Sequence, residues 1–182
     1  MPSKGVPAAF FDRDGTLNID IHYLHRPEDF LWTPDAPAAI RRLNECGILT
    51  VVVTNQSGVA RGYYPEADVR RLHDWMNEEL KKEGAHLDAL FYCPHHIDGK
   101  IPEYTKACTC RKPATGMIDA ACAEYDIDRQ RAVLIGDSES DMECARRAGL
   151  IGVRYEGGSL LDVVERVLGW LGVGNDGIEK EG

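Results

Sequence analysis

The chain has 182 residues, 43% of them hydrophobic and 28% charged, and a formal net charge of −9. That length suits one domain with a core large enough to need no crosslinks. The acidic balance argues against nucleic acid or an anionic membrane as partner, since both call for a basic face, and leaves room for a small anionic substrate in a locally basic pocket. No stretch approaches the roughly 20 apolar residues of a membrane span. The opening "MPSKGVPAAFFDRDG" lacks the apolar length and cleavage pattern of a signal peptide. A cytoplasmic, reducing setting is therefore expected.

Short apolar runs alternate with amphipathic stretches. "VPAAFF" (6–11) predicts a buried strand, and "TPDAPAAIRRLNECG" (33–47) a helix opened by Thr33 or Asp35 and closed by Gly47. The β-branched run "ILTVVVTN" (48–55) predicts a strand. "PEADVRRLHDWMNEELKKEG" (65–84) predicts a helix with Pro65 in its first turn. A strand is expected over 87–92, a helix capped by Thr115 over 115–127, a strand over 131–137 and a helix over 138–150. A strand over 151–155, a helix over 159–171 and a frayed tail over 172–182 complete the chain. Such alternation implies right-handed βαβ units and a parallel sheet flanked by helices, in one domain spanning 1–171. Ligands of such sheets sit beyond the carboxyl ends of the strands.

Polar residues gather at those ends. "FFDRDGTLN" sets Asp12 and Asp14 after the first strand; continued strand alternation sends both side chains to one side and Arg13 to the other. Thr54, Asn55, Gln56 and Ser57 follow the second long strand, where a capped loop and an oxyanion site are both open readings. "LIGDSESD" ends the fourth with Asp137 and Asp141, and for Asp141 the cap of the next helix is the better reading. Three carboxylates (Asp12, Asp14, Asp137) suit Mg2+, which prefers hard oxygens. Thr54 and Lys112 suit phosphoryl oxygens, and a carboxylate can itself serve as nucleophile. The residues point to phosphoryl transfer.

In this order "DRDGT" (12–16), "TNQSG" (54–58), "RKP" (111–113) and "GDSESD" (136–141) resemble the four motifs of the haloacid dehalogenase (HAD) phosphatases. Their Rossmann-like α/β fold is implied, here with a minimal cap. Within them, "DRDGTLNID", "TNQSGVARG", "LDALFYCP" and the Cys/His loop before "CRKP" resemble the heptose-bisphosphate phosphatase subfamily, with the histidinol-phosphatase group as the alternative. The resemblance implies a monomeric enzyme acting on a phosphorylated sugar, in the supply of activated heptose for lipopolysaccharide or S-layer glycans. It implies Asp12 as nucleophile, Asp14 as general acid and base, and Thr54 and Lys112 holding the phosphoryl group. Mg2+ would be held by Asp12, the Asp14 carbonyl and Asp137. Asp20, Ile21, His22, Tyr23, Asn55, Gln56, Ser57 and Arg111 would line the substrate. Ser138 stands where the subfamily often carries Lys, which removes one positive charge beside the substrate. A receiver domain, which also uses Asp, Thr and Lys, places its acceptor after the third strand rather than the first.

The segment "YCPHHIDGKIPEYTKACTCRKP" (92–113) carries Cys93, His95, Cys108 and Cys110 in a C-x-H-x12-C-x-C pattern. In a reducing compartment, clustered cysteines read as metal ligands rather than disulfides. Three thiolates and an imidazole make a closed, structural Zn2+ set inserted as a loop over 93–110. His96 rivals His95 on the residues alone; the resemblance favours His95. Cys46, Cys122 and Cys144 fall on helices and read as core.

Overall fold

The computed structural model describes residues 5–173. Five strands form one parallel sheet in the order β3-β2-β1-β4-β5: β1 (Val6–Phe11), β2 (Leu49–Asn55), β3 (Ala89–Cys93), β4 (Ile127–Gly136) and β5 (Ile151–Arg154). The chain winds outward from β1 to β3, then returns to place β4 on the other side of β1. The carboxyl ends of β1 and β4 therefore flank the point where the winding reverses, which is where open α/β sheets bind ligands.

Alternation along the strands builds two cores. Ala9, Phe11, Val52, Val133, Ile135 and Val153 face one side, against α1 (Ala36–Glu45), α2 (Glu66–Lys82) and α5 (Leu160–Trp170). Ala8, Phe10, Val51, Val53, Ala132 and Leu134 face the other, against α3 (Gly116–Tyr125) and α4 (Glu139–Ala148). A strand covered on both faces is apolar throughout, which is why β1 and β2 read as unbroken apolar runs. Two excursions leave the carboxyl edge of the sheet. Residues 14–34 after β1 form a small flap, tied at its base by Ile19 N–H to the Leu31 carbonyl at 2.9 Å. Residues 94–115 after β3 form the Cys/His loop.

The structure differs from the expected elements at their edges. Neither Thr33 nor Asp35 caps α1; the Thr33 hydroxyl donates to the Thr16 carbonyl at 2.6 Å and so anchors the flap instead. Thr115 does not cap α3, and its hydroxyl donates to Asp119 at 2.7 Å. The chain reverses at Asp126, in the left-handed region, and β4 starts four residues before the expected 131. The cue for that start is absent because Asp128, Arg129 and Gln130 are polar at a half-exposed sheet end. Ser138 does cap α4, in a reciprocal capping box with Asp141. Val173 still donates to the Leu168 carbonyl; the rest of the expected tail, 174–182, lies outside the described residues. No helix among the described residues is long and apolar enough to cross a membrane.

Gly15 turns the chain away from β1 with φ of 87°, and a Cβ there would collide with the Asp137 carboxylate. Gly47 also has positive φ, 70°, but faces open space. Gly47→Ala should therefore cost only the backbone term of about 1–2 kcal/mol. Gly15→Ala should cost clearly more, as measured by urea denaturation of the two variants; equal losses would contradict the close approach.

Candidate active site

A cleft of about 300 Å³ opens beyond the carboxyl ends of β1, β2 and β4, lined by Asp12, Asp14, Thr54, Lys112, Asp137 and Asp141 among others. Asp12 follows β1 directly, and its N–H donates to the Ile135 carbonyl at 3.0 Å, as if the ladder ran one residue further. Lys112 reaches in from the Cys/His loop. Its Nζ donates to Asp12 Oδ1 at 2.8 Å and to Asp141 Oδ1 at 2.6 Å, with the lysine only 4% exposed. Asn55, at the end of β2, brackets the lysine backbone: Lys112 N–H donates to Asn55 Oδ1 at 2.9 Å, and Asn55 Nδ2 donates to the Lys112 carbonyl at 3.1 Å. Losing one partner of a buried pair of this kind costs about 3–5 kcal/mol, because the other charge is left stranded.

Asp12, Asp137 and Asp141 each offer an oxygen within 4.8 Å of the others. Three ionised carboxylates against one ammonium would leave two negative charges uncompensated. Burial pushes Asp12 up to about 8, with Asp141 and Asp14 adding to the rise and Lys112 opposing it. Burial likewise raises Asp137. For Lys112 burial favours the neutral amine, but Asp12 and Asp141 outweigh it and hold the lysine charged. A hard dication fits this cluster in charge and in donor type.

Asp141 unites the two readings its position allowed. Its Oδ2 accepts from the Ser138 hydroxyl at 2.8 Å and from Ser138 N–H at 3.2 Å, closing the helix cap, while its Oδ1 faces Lys112. The cap alone was the better sequence reading; nothing in the spacing signals the second contact.

Asp12 and Asp14 both line the cleft and Arg13 does not, as strand alternation expects. The chain then turns tightly, the N–H groups of Thr16, Leu17 and Asn18 all returning to the Arg13 carbonyl, and Arg13 stays in contact with the site from behind. It is fully buried, and its guanidinium forks onto Asp14, Nε to Oδ1 and Nη2 to Oδ2, both at 3.1 Å. Asn18 Nδ2 and Gln56 Nε2 also donate to the Asp14 carboxylate, at 3.0 and 3.1 Å. Asp12 and Asp14 thus share the cleft but keep separate partners, and the Asp14 side chain stands apart from the three-carboxylate cluster. Gln56 Nε2 further donates to Thr54 Oγ1 at 2.8 Å, and Tyr64 donates to Gln56 Oε1 at 2.7 Å. Burial lifts the Tyr64 phenol to about 12, so it remains a donor. Asn18 lies within the "DRDGTLN" motif, but Tyr64 had no sequence signal, being joined to Gln56 only through the loop after β2.

Asp20, His22 and Tyr23 line the cleft from the flap, with Asn55, Gln56, Ser57, Ser138 and the unanticipated Ser140. Ile21 is 48% exposed and does not line it. Arg111 does not line it either. It borders a neighbouring pocket of about 290 Å³ with Lys106, Lys112 and Cys108, and its Nη1 is buried without a partner among the described residues.

Cys93, His95, Cys108 and Cys110 converge at the root of the loop, their ligand atoms all within 4.8 Å of one another. Contacts between their sulfur and Nδ1 atoms run from 2.9 to 3.6 Å. Zinc–sulfur bonds of about 2.3 Å and zinc–nitrogen bonds of about 2.0 Å put tetrahedral ligand atoms about 3.5–3.8 Å apart. The set fits a closed four-coordinate metal, and its thiols are unbridged. His96 is not part of it: its Nδ1 accepts from Asp98 N–H at 3.0 Å, and its Nε2 meets Arg61 at 3.3 Å.

Residues 109–162 match the HAD-hydrolase-like family model. A D-glycero-beta-D-manno-heptose-1,7-bisphosphate 7-phosphatase of Rhodopseudomonas palustris is 47% identical over 162 residues, 89% of this chain and 90% of that one. A D-glycero-alpha-D-manno-heptose-1,7-bisphosphate 7-phosphatase of Photorhabdus laumondii is 41% identical over 82% of each chain. Among solved structures, a HAD-like protein from Mesorhizobium loti superposes with a TM-score of 0.85 at 33% identity, covering 97% of this chain and 91% of that one. D,D-heptose 1,7-bisphosphate phosphatase from B. bronchiseptica, complexed with magnesium and phosphate, superposes with a TM-score of 0.78 at 31% identity, covering 91% and 99%. With identity this high over nine-tenths of a relative, and the strand-end carboxylates in place, the chain belongs to the HAD-like phosphatase family that includes the D-glycero-D-manno-heptose-1,7-bisphosphate 7-phosphatases.

Proposed function

We propose that this chain is a Mg2+-dependent phosphatase that removes the C7 phosphate of D-glycero-D-manno-heptose 1,7-bisphosphate through an aspartyl-phosphate on Asp12. The carrying observation is the uncompensated Asp12–Asp137–Asp141 cluster with Lys112 buried against it, in a chain 47% identical to an enzyme of that name. Asp12 attacks phosphorus, and the leaving sugar oxygen takes a proton from Asp14. Asp14 then draws the proton from the water that hydrolyses the acyl phosphate. Lys112 and Thr54 hold the phosphoryl oxygens, and preorganised donors of this kind favour the charge that develops during transfer. Asp12, Asp137 and the Asp14 carbonyl would hold Mg2+, which supplies positive charge between the anionic nucleophile and the anionic ester.

The flap residues Asp20, His22 and Tyr23 give polar contacts to the sugar. Arg111 and Lys106, in the adjoining pocket, offer cations to the phosphate that is not cleaved. Zn2+ in the four-residue site would fix Cys110, and with it Arg111 and Lys112, which follow immediately in the chain. Histidinol phosphate is the alternative substrate.

Asp12→Asn should abolish phosphate release with the fold retained by circular dichroism. Lys112→Ala should lower kcat by about 10²–10³, the effect of losing one preorganised contact to the transition state. Activity surviving in Asp12→Asn would overturn the nucleophile, and a higher kcat/KM on histidinol phosphate than on the heptose bisphosphate would overturn the substrate. Stripping the four-residue site with a thiophilic chelator, at saturating Mg2+, should lower turnover and reduce the melting temperature by about 5–15 °C, at about 2–4 °C per kcal/mol for a chain of this size. Unchanged turnover and melting temperature would break the link between the loop and Lys112.

A further inference from the structure

The stripe of α2 that faces the core carries Val69, Leu72, Met76 and Leu80, all 1% exposed or less. His73 sits on the same stripe, 5% exposed, where an aliphatic side chain would be the default. Its Nε2 lies 3.2 Å from Arg13 Nη1. Arginine has donors only, so His73 accepts here; the ring is neutral, with its proton on Nδ1. Burial, reinforced by the charge of Arg13, pushes His73 down to about 3, in keeping with that form. The other ring close to it is Tyr92, edge-on at 6.0 Å.

The Arg13 guanidinium is thus held from three elements. Asp14 takes the Nε and Nη2 edge, the flap takes Nη2 through the Leu24 carbonyl at 2.9 Å, and α2 takes Nη1 through His73. A fork between chain neighbours does not by itself fix the plane of the guanidinium, because both residues swing on the same stretch of backbone. The contacts at Leu24 and His73 fix it from outside. Asp14 is aimed by a group whose own direction is set about sixty residues away, and the flap that carries Asp20 to Tyr23 shares that anchor.

We propose that His73 is a positioning residue for the acid–base chemistry of Asp14, acting through Arg13. The proposal rests on Asp14 being the group that protonates the leaving oxygen. In the first step, release of the leaving group, misdirecting that proton matters for a sugar alkoxide, a poor leaving group, and hardly at all for p-nitrophenolate, which departs without one; the second step, in which Asp14 activates water, is common to both substrates.

The test compares the single-turnover rate of leaving-group release, which reads the first step alone, on the heptose bisphosphate and on p-nitrophenyl phosphate for wild type, His73→Leu, His73→Gln and Asp14→Asn. His73→Leu should lower that rate on the sugar substrate about tenfold or more, a part of the 10²–10⁴ that general acid catalysis contributes, with substrate affinity nearly unchanged. Its single-turnover release of p-nitrophenolate should stay within about threefold of wild type. His73→Gln, whose Oε1 can accept from Arg13, should recover most of the loss, and His73→Met serves in place of Leu if the latter does not fold. Equal losses on both substrates, or none on either, would overturn the positioning role. Asp14→Asn separates the two ideas. If it shows the same substrate bias and His73→Leu does not, positioning alone fails; if Asp14→Asn shows no bias, the acid–base reading of Asp14 fails and takes the proposal with it.

Discussion

The Lys112 ammonium lies between Asp12 and Asp141 with 4% of the residue open to water, and the site is organised around keeping that charge paired. A buried ammonium is stable only with close counter-charges and hydrogen bonds. Asp12 is delivered by the end of β1, and Asp141 by the first turn of α4, where the capping box with Ser138 leaves one carboxylate oxygen free for the lysine. Neither element holds Lys112 itself. Its position depends on the Asn55 bracket and on the four-residue Cys/His cluster that ends at Cys110, two residues earlier. This explains how an acidic chain concentrates positive charge at one point in its cleft: the lysine is carried there on a loop whose geometry a metal can fix.

A second buried cation organises the other half of the cleft. Arg13, fully buried, meets Asp14, the flap and α2 at once. Gln56 joins the two halves, since its amide donates to both Thr54 and Asp14 and its carbonyl accepts from Tyr64. Thr54, proposed to receive the phosphoryl group, and Asp14, proposed to move the proton, therefore share one hydrogen-bond network. Displacing the flap or the loop after β2 would be felt at both.

Much of this was legible in the chain. Apolar runs of strand length alternating with amphipathic helices imply the parallel sheet, and the rule that ligands sit at strand ends singles out Asp12, Thr54, Asp137 and their neighbours. The paired C-x-H and C-x-C spacings point to the loop cluster, and the structure selects His95 over His96. What escaped depends on tertiary contact. Arg13 keeps out of the cleft as alternation expects, but the return of its guanidinium to Asp14 follows only from the tertiary packing around it. Thr33 and Thr115 have the right chemistry for caps but found other partners. The polar start of β4 resembles a loop because that end of the sheet is half exposed. Asp141 looked like a helix cap, which it is; that its second oxygen meets a lysine 29 residues earlier in the chain follows only from the packing of α4 against the loop.

The central claim is that the strand-end cluster, once fully ionised, carries two more negative charges than the protein neutralises, and that one divalent cation completes it. Isothermal titration with Mg2+ near pH 7, repeated in buffers of different ionisation enthalpy, measures stoichiometry and proton release together. With Asp12 lifted to about 8 by burial in the metal-free protein, binding should saturate at about one Mg2+ per chain and release close to one proton. Asp137→Asn should weaken that binding markedly. No saturable binding, or binding with no proton release, would contradict the account.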